Sequence, residues 1–236
     1  KVVQAMGADP PIKPSHTNLK IRGVLGACCL LEGIEEEFIA RLADASQLKP
    51  LRRGEILFLQ GDRSFELYIV AAGRIRLYRT SPEGAEKTLA VLSDGDVFGD
   101  LSAIDGLGRS AAAEAMTDAQ VVQVRAGPFM MCLEESRTLA VRLIKRLAKM
   151  LRETDESLDL LAFADARTRI ASALLKNSTP FGRVTELTHR DIAAIASTAR
   201  ETVSRVIADL IDAGVLGVNG RDYQILDSLA LEDLVI

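Results

Sequence analysis

The stretch "LTHRDIAAIASTARETVSRVIADLIDAGVLGVNGRDYQIL" runs from Leu187 to Leu226, and its reading decides the C-terminal fold. Thr188 with Asp191 three residues later is a capping-box-like helix start. Ile192 and Ile195 give that helix one apolar face. "AST" at 196–198 breaks the pattern. Thr198 with Glu201 predicts a second helix, which buries Val203, Val206, Ile207 and Leu210. Two short helices joined by a tight turn form a helix-turn-helix. Asn219-Gly220 between apolar runs is a strong short hairpin signal. A helix-turn-helix followed by a hairpin is a winged helix. Ser197 falls where such turns usually carry Gly, so a positive φ there costs on the order of 1 kcal/mol.

The positions left exposed on the second helix are Arg200, Glu201, Ser204 and Arg205. An arginine fork matches the O6/N7 edge of guanine, and a carboxylate can accept from cytosine N4. Near a helix N-terminus these residues can point into a major groove. The competing reading is a solvated charged face with Arg–Glu pairs. The adjoining hairpin tilts the balance toward DNA.

Working back along the chain, Asp165 opens an amphipathic helix with Ile170, Leu174 and Leu175 on its apolar face. From Met130 to Phe163 there is no Gly or Pro. Leu143, Leu147, Met150, Thr154, Ser157 and Leu161 follow heptad spacing there, flanked by Leu151 and Leu158. That pattern predicts a parallel coiled coil and hence a homodimer. The alternative is a long helix packed on its own barrel. Thr154 and Ser157 are polar in an apolar seam, which suggests a specificity or ligand-contact role.

Residues 48–127 change period again. "EILFLQ", "ELYIVAAG", "RIRLYRT", "KTLAVLS" and "AQVVQVRA" read as short strands, punctuated by Gly54, Gly61, Gly73, Gly84 and Gly95. Many short strands with regular turn signals predict a barrel or sandwich. Ile34, Phe38, Ile39 and Leu42 predict a short helix before it. The first 20 residues, with Pro10, Pro11 and Pro14, read as a flexible tail.

Composition narrows the functional class. A chain of 236 residues fits one large domain or two ordinary ones. Net charge is −4, so any DNA binding must use a local patch. The three cysteines (Cys28, Cys29 and Cys132) form no secreted framework, and with His16 and His189 they give no zinc spacing. Cys28 and Cys29 read as packing residues rather than redox sensors, and Asp96 as a turn residue. Too few cysteines are present for a four-cysteine iron–sulfur cluster. No apolar run has membrane-span length, and the first residues lack a signal-peptide core, which predicts a cytoplasmic protein without a membrane partner.

From Gly-spaced barrel to "FGDLS…GRSA", "LLAFADARTRIA" and "ARETVSR", residues 24–236 resemble the cyclic-AMP receptor protein/FNR superfamily of bacterial transcription regulators. The resemblance implies an α+β fold. Its parts are a tail (1–22), a cyclic-nucleotide-binding β-roll (23–132), a dimerisation helix (133–163) and a winged helix-turn-helix (164–236). It implies that Arg200, Glu201 and Arg205 read a TGTGA-type half-site, and that Thr188 and Arg190 touch phosphates. The target is then palindromic double-stranded DNA with half-sites roughly 34 Å apart. RNA polymerase is the further partner that the resemblance implies.

The resemblance also places a cyclic phosphate at Gly99, Asp100, Leu101, Ser102, Arg109 and Ser110, using backbone N–H groups and one fixed cation. The family's ribose glutamate is Asp100 here, one methylene shorter, and the loop to Arg109 is one residue shorter. Thr154 matches the residue that meets the adenine amino group. The partner subunit's serine in the family is replaced by Asp155, and an arginine at the ribose end by Met150. Cyclic AMP or a close analogue is the effector implied. Another nucleotide such as cyclic GMP or cyclic di-GMP, or no ligand at all, are the other readings. Residues 48–127 hold neither Cys nor His, so no haem is expected, and neither a metal nor an iron–sulfur cluster. An enzyme, for instance one hydrolysing a nucleotide, is not expected: no nucleophile–base pair can be named at the Asp/Arg pocket.

Overall fold

The computed structural model describes residues 15–220 and 222–235. Most of the proposed tail lies outside them, but its last part does not behave as a tail. Helix α1 (His16–Ala27) starts at Ser15, whose hydroxyl accepts from the Asn18 amide at 3.2 Å. It buries Ile21 and Leu25 against α2 (Glu36–Asp44) and the barrel. Residues 16–22 therefore belong to the core-forming unit, because two well-spaced aliphatics outweigh the proline-rich stretch before them.

The β-roll has two antiparallel four-stranded sheets. In chain order the strands are β1 (Ser46–Leu51), β2 (Ile56–Phe58), β3 (Leu67–Ala72), β4 (Ile75–Thr80), β5 (Glu86–Leu92), β6 (Val97–Phe98), β7 (Ala112–Ala115) and β8 (Ala119–Val124). One sheet runs β1-β8-β3-β6 and the other β2-β7-β4-β5. Between them sit Phe58, Tyr68, Val70, Ile75, Phe98 and Val121. Strand β7 reads "AAEA", a sequence that by itself favours a helix. Pairing with β2 on one side and β4 on the other makes it a strand. A short helix, α3 (Asp100–Asp105), crosses between β6 and β7.

The Gly-free stretch is two helices, not one. Helices α4 (Ala126–Glu135) and α5 (Arg137–Phe163) are broken at Ser136, which is extended, buried, and caps α5 by accepting from the Leu139 amide at 3.3 Å. The long helix thus begins at 137 rather than 133. Part of the predicted heptad face packs inward within the chain. Leu139 and Leu143 enter the protomer's own core, with Leu147 packed beside them. Ile144, Leu151 and Leu158, seven residues apart, are 65%, 64% and 59% exposed. The β-roll core takes the first turns of α5. Thr154 and Ser157 are exposed and hydrogen-bond the Met150 and Glu153 carbonyls of their own helix, at 2.8 and 2.7 Å.

The C-terminal unit holds α6 (Ala166–Lys176), β9 (Arg183–Val184), α7 (His189–Ala196), α8 (Arg200–Asp212), β10 (Leu216–Asn219), β11 (Asp222–Ile225) and α9 (Ser228–Glu232). Its core collects Ile170, Leu174, Ile192, Val203, Leu210 and Leu216. Asp165 caps α6 through the Thr168 amide at 2.8 Å. The small sheet runs β10-β11-β9. Polar contacts tie this unit to the β-roll. Arg74 donates to the Thr185 carbonyl, and Lys87 Nζ to the Ile195 carbonyl at 2.6 Å. Burial, with the charge of Arg169, holds Lys87 below its usual pKa.

Cys28 and Cys132 are buried and Cys29 is exposed, all three as free thiols. Burial pushes the Cys28 thiol up to about 11. Packing therefore accounts for Cys28 but not for its neighbour. Asp96 accepts from the Ser93 amide at 2.8 Å, as a turn residue does.

Candidate functional site

Helix α7 opens with a full capping box: Thr188 accepts from the Asp191 amide at 3.2 Å, and Asp191 accepts from the Thr188 amide at 2.8 Å. The Thr188 hydroxyl also donates to Asp191 Oδ2 at 2.6 Å, so its side chain is already engaged. Arg190 is exposed. The turn residue Ser197 has φ +50, the strained left-handed conformation expected of that position. Its carbonyl and that of Ala196 face Arg169 from α6, whose Nε donates to Ala196 at 2.9 Å. Helix α8 departs from expectation at its start: the N-cap is Ala199, with no side-chain cap, and Thr198 is not used.

Arg200, Glu201 and Arg205 are exposed on α8, opposite Val203, Val206, Ile207 and Leu210. Among the described residues the three form no ion pair with one another. The face is therefore charged and uncommitted. Ser204 differs from the reading that grouped it with them. It is half-buried and turned to His189, 2.8 Å away. The wing packs at this corner, with Asn219 opposite Asp222.

The cassette of the β-roll has the opposite character. Gly99, at φ +73, caps α3, and a Cβ there would sit 2.5 Å from Arg109 Nη1. Only glycine admits the guanidinium so close. Gly108 is equally constrained, because a Cβ would come 2.8 Å from the Gly61 carbonyl. That approach lets Arg109 exchange backbone hydrogen bonds with Gly61 and Asp62 at 2.8 and 3.0 Å. The Arg109 side chain is 2% exposed as a result.

Arg109 donates three of its five N–H groups to protein acceptors. Its Nε donates to Ser64 Oγ at 2.8 Å, Nη1 to the Gly99 carbonyl at 3.0 Å, and Nη2 to the Glu66 carbonyl at 2.8 Å. The Glu66 carboxylate lies 3.5 Å away, and the Phe58 ring lies 4.2 Å below the guanidinium. Burial lowers the Arg109 pKa, with Tyr68 and Glu66 opposing it. Asp100 is buried too, and Arg146 of α5 donates to it from Nε at 3.0 Å and to the Val97 carbonyl from Nη2 at 2.5 Å. Ser102 is buried, Leu101 half-buried and Ser110 exposed.

The structure thus brings Gly99, Asp100 and Arg109 together, and leaves Thr154 and Asp155 exposed further along α5. Sequence reasoning missed Ser64, Glu66 and Arg146. Arg146 stands one helical turn before Met150, so a search one turn either way for the displaced arginine finds it. Ser64 and Glu66 carry no local signal. Among the described residues, no cluster of His, Cys, Asp and Glu suits a metal ion, and no helix is long and apolar enough to cross a membrane.

Comparison with known proteins covers both regions. Residues 48–136 match the cyclic nucleotide-binding domain family, and residues 168–234 match the Crp-like helix-turn-helix domain family. The chain is 36% identical over 206 residues to the cyclic AMP receptor protein of Thermus thermophilus, spanning 87% of this chain and 95% of that protein. It is 30% identical over 213 residues to a CRP-like cAMP-activated global transcriptional regulator of Mycobacterium tuberculosis, with the same two coverages, 87% and 95%. The structure of FixK2 from Bradyrhizobium japonicum superposes with a TM-score of 0.75 at 26% identity, covering 81% of this chain and 98% of that one. With a β-roll bearing the nucleotide cassette, a long helix and a winged helix-turn-helix in one order, the chain belongs to the CRP/FNR superfamily of transcription regulators.

Proposed function

We propose that this regulator works as a homodimer that reads a two-fold palindrome of TGTGA-type half-sites and responds to a cyclic nucleotide. The observation that carries the DNA reading is the uncommitted Arg200, Glu201 and Arg205 face at the start of α8. Each arginine can fork onto a guanine and Glu201 can accept from a cytosine. Arg190 supplies phosphate positioning beside them. Once on DNA, the dimer contacts RNA polymerase, as the family resemblance implies.

The dimer is supported by the exposed Ile144, Leu151 and Leu158 ladder on α5. Its cover is a second copy of the same helix, because a strict seven-residue repeat matches itself about a two-fold axis. Sedimentation tests this: Leu151→Asp should convert the dimer to monomers, since each buried leucine contributes about 1.5–3 kcal/mol and the symmetry counts it twice. A monomeric wild type overturns it.

Cyclic AMP is the effector favoured, because the relatives from T. thermophilus and M. tuberculosis are named for it. Arg109 would meet the phosphate and Asp100 the ribose, with Ser110 at the rim and Thr154 and Asp155 near the base. In the present arrangement Arg109 and Asp100 hold protein partners, which a ligand must share or displace. A ligand that takes Asp100 from Arg146 also releases a tie between α3 and α5. Only differential affinity for the released state makes that a signal. The same internal engagement favours a second reading, regulation without a ligand.

Calorimetry with cyclic AMP, cyclic GMP and cyclic di-GMP separates the two. Ser110→Ala is the informative variant, because Ser110 is exposed and Arg109→Ala would also disturb the fold. Heat with cyclic AMP, weakened in the variant, supports the effector reading. Heat with cyclic di-GMP alone reassigns the ligand, and no heat with any of the three supports ligand-independent regulation.

A further inference from the structure

The described residues contain one polar chain that spans the three DNA-facing elements. Tyr223 on β11 lies 2.7 Å from His189 Nε2, and His189 Nδ1 lies 2.8 Å from Ser204 Oγ on α8. Ser204 donates in turn to the Arg200 carbonyl at 3.1 Å. A single directed arrangement satisfies every contact. The phenol donates to Nε2, Nδ1–H donates to Ser204, and the serine hydroxyl donates to the backbone of Arg200. Burial raises the Tyr223 pKa, which keeps that phenol a donor. The imidazole and phenol rings also stack, with centroids 6.2 Å apart.

Leu216 and Ile225 anchor the base of the wing in the core, but its tip packs less closely on α8. A cavity of about 260 Å³ opens between α8 and the wing, lined by Ile207, Ile211 and Val218 as well as the polar trio. Val218 is 59% exposed, so apolar burial holds the base of the wing and not its tip. The hydrogen-bonded chain crosses the gap instead. His189 itself sits between Thr188 and Arg190 at the start of α7, the end assigned above to phosphate.

We infer that His189 is a positioning residue that locks the wing and the base-reading helix in register with the phosphate-anchoring end of α7. Resting on the DNA-reading proposal above, this assigns Ser204 and Tyr223 to specificity without base contact. It also removes the Ser204–His189 pair from consideration as a nucleophile and base, since the serine proton is committed to a carbonyl.

The test uses the full chain and two duplexes of equal length, a palindrome of TGTGA-type half-sites and its scramble, with and without saturating cyclic AMP. Tyr223→Phe keeps the ring and its stacking and removes only the hydroxyl. Ser204→Ala breaks the other end. Each should lower the palindrome-to-scramble affinity ratio about three- to tenfold, the worth of a hydrogen bond. Scramble affinity and its salt slope should not move, because phosphate contacts remain. The double variant should be no worse than the poorer single, because one chain can be broken only once. An unchanged ratio, equal losses on both duplexes, or additive losses overturn the relay. A wild type that does not discriminate between the duplexes defeats the DNA-reading proposal and the relay with it. Discrimination that survives both variants defeats the relay alone.

Discussion

The cassette loop and the α8 face carry similar charged residues in opposite states. Arg109 and Asp100 are 2% and 3% exposed, and every strong hydrogen bond they make is to their own protein. Arg200, Glu201 and Arg205 face solvent with no ion pair among themselves. Under the proposed function, the difference sets how each surface would bind. An open charged face gains contacts when DNA arrives and gives up only water and counterions. A buried cassette must open, and share or exchange internal hydrogen bonds, to take a ligand. Its net affinity is then a small difference, while the structural consequence of binding is large.

Three substitutions would break or sharpen this contrast. The largest effect is expected at Arg109. Arg109→Ala strands Ser64, two carbonyls and a neighbouring carboxylate, and should destabilise the chain by about 3–5 kcal/mol in urea titration. A stability within about 0.5 kcal/mol of wild type would show that the cation is kept for a ligand and not for the fold. At Arg205 the order reverses. Arg205→Ala should leave stability within about 0.5 kcal/mol but lose about 1–3 kcal/mol of discrimination at one base pair in a gel-shift panel. Uniform weakening on all sequences would reassign that residue to phosphate. The smallest effect is at the turn. Ser197→Gly relieves the positive φ and should stabilise by about 1 kcal/mol in thermal melting, with DNA affinity unchanged.

Much of the C-terminal unit was legible from sequence because its signals are local. The capping box at Thr188 and Asp191, the positive φ at Ser197 and the hairpin at Asn219-Gly220 each involve neighbours within four residues. The strands rich in β-branched residues and the glycine turns were readable for the same reason. Strand β7 was not, since alanine carries no strand preference and pairing partners from β2 and β4 decide its state. The break at Ser136 was hidden because a serine looks ordinary within a helix until it caps the next one.

By itself the sequence determined the order of the units, the winged helix-turn-helix and the charged residue types at the start of α8. Those follow from short-range periodicity, turn chemistry and side-chain type. Tertiary structure alone decided where the charged groups point and what they hold. Arg109 meets Ser64 across 45 positions of chain, Arg146 meets Asp100 across 46, and His189 meets Tyr223 across 34. Which apolar residues of α5 turn inward was decided in the same way: the barrel claims Leu139 and Leu143 and leaves Ile144, Leu151 and Leu158 exposed. Burial of a side chain depends on which distant surface packs against it, and no local pattern encodes that surface.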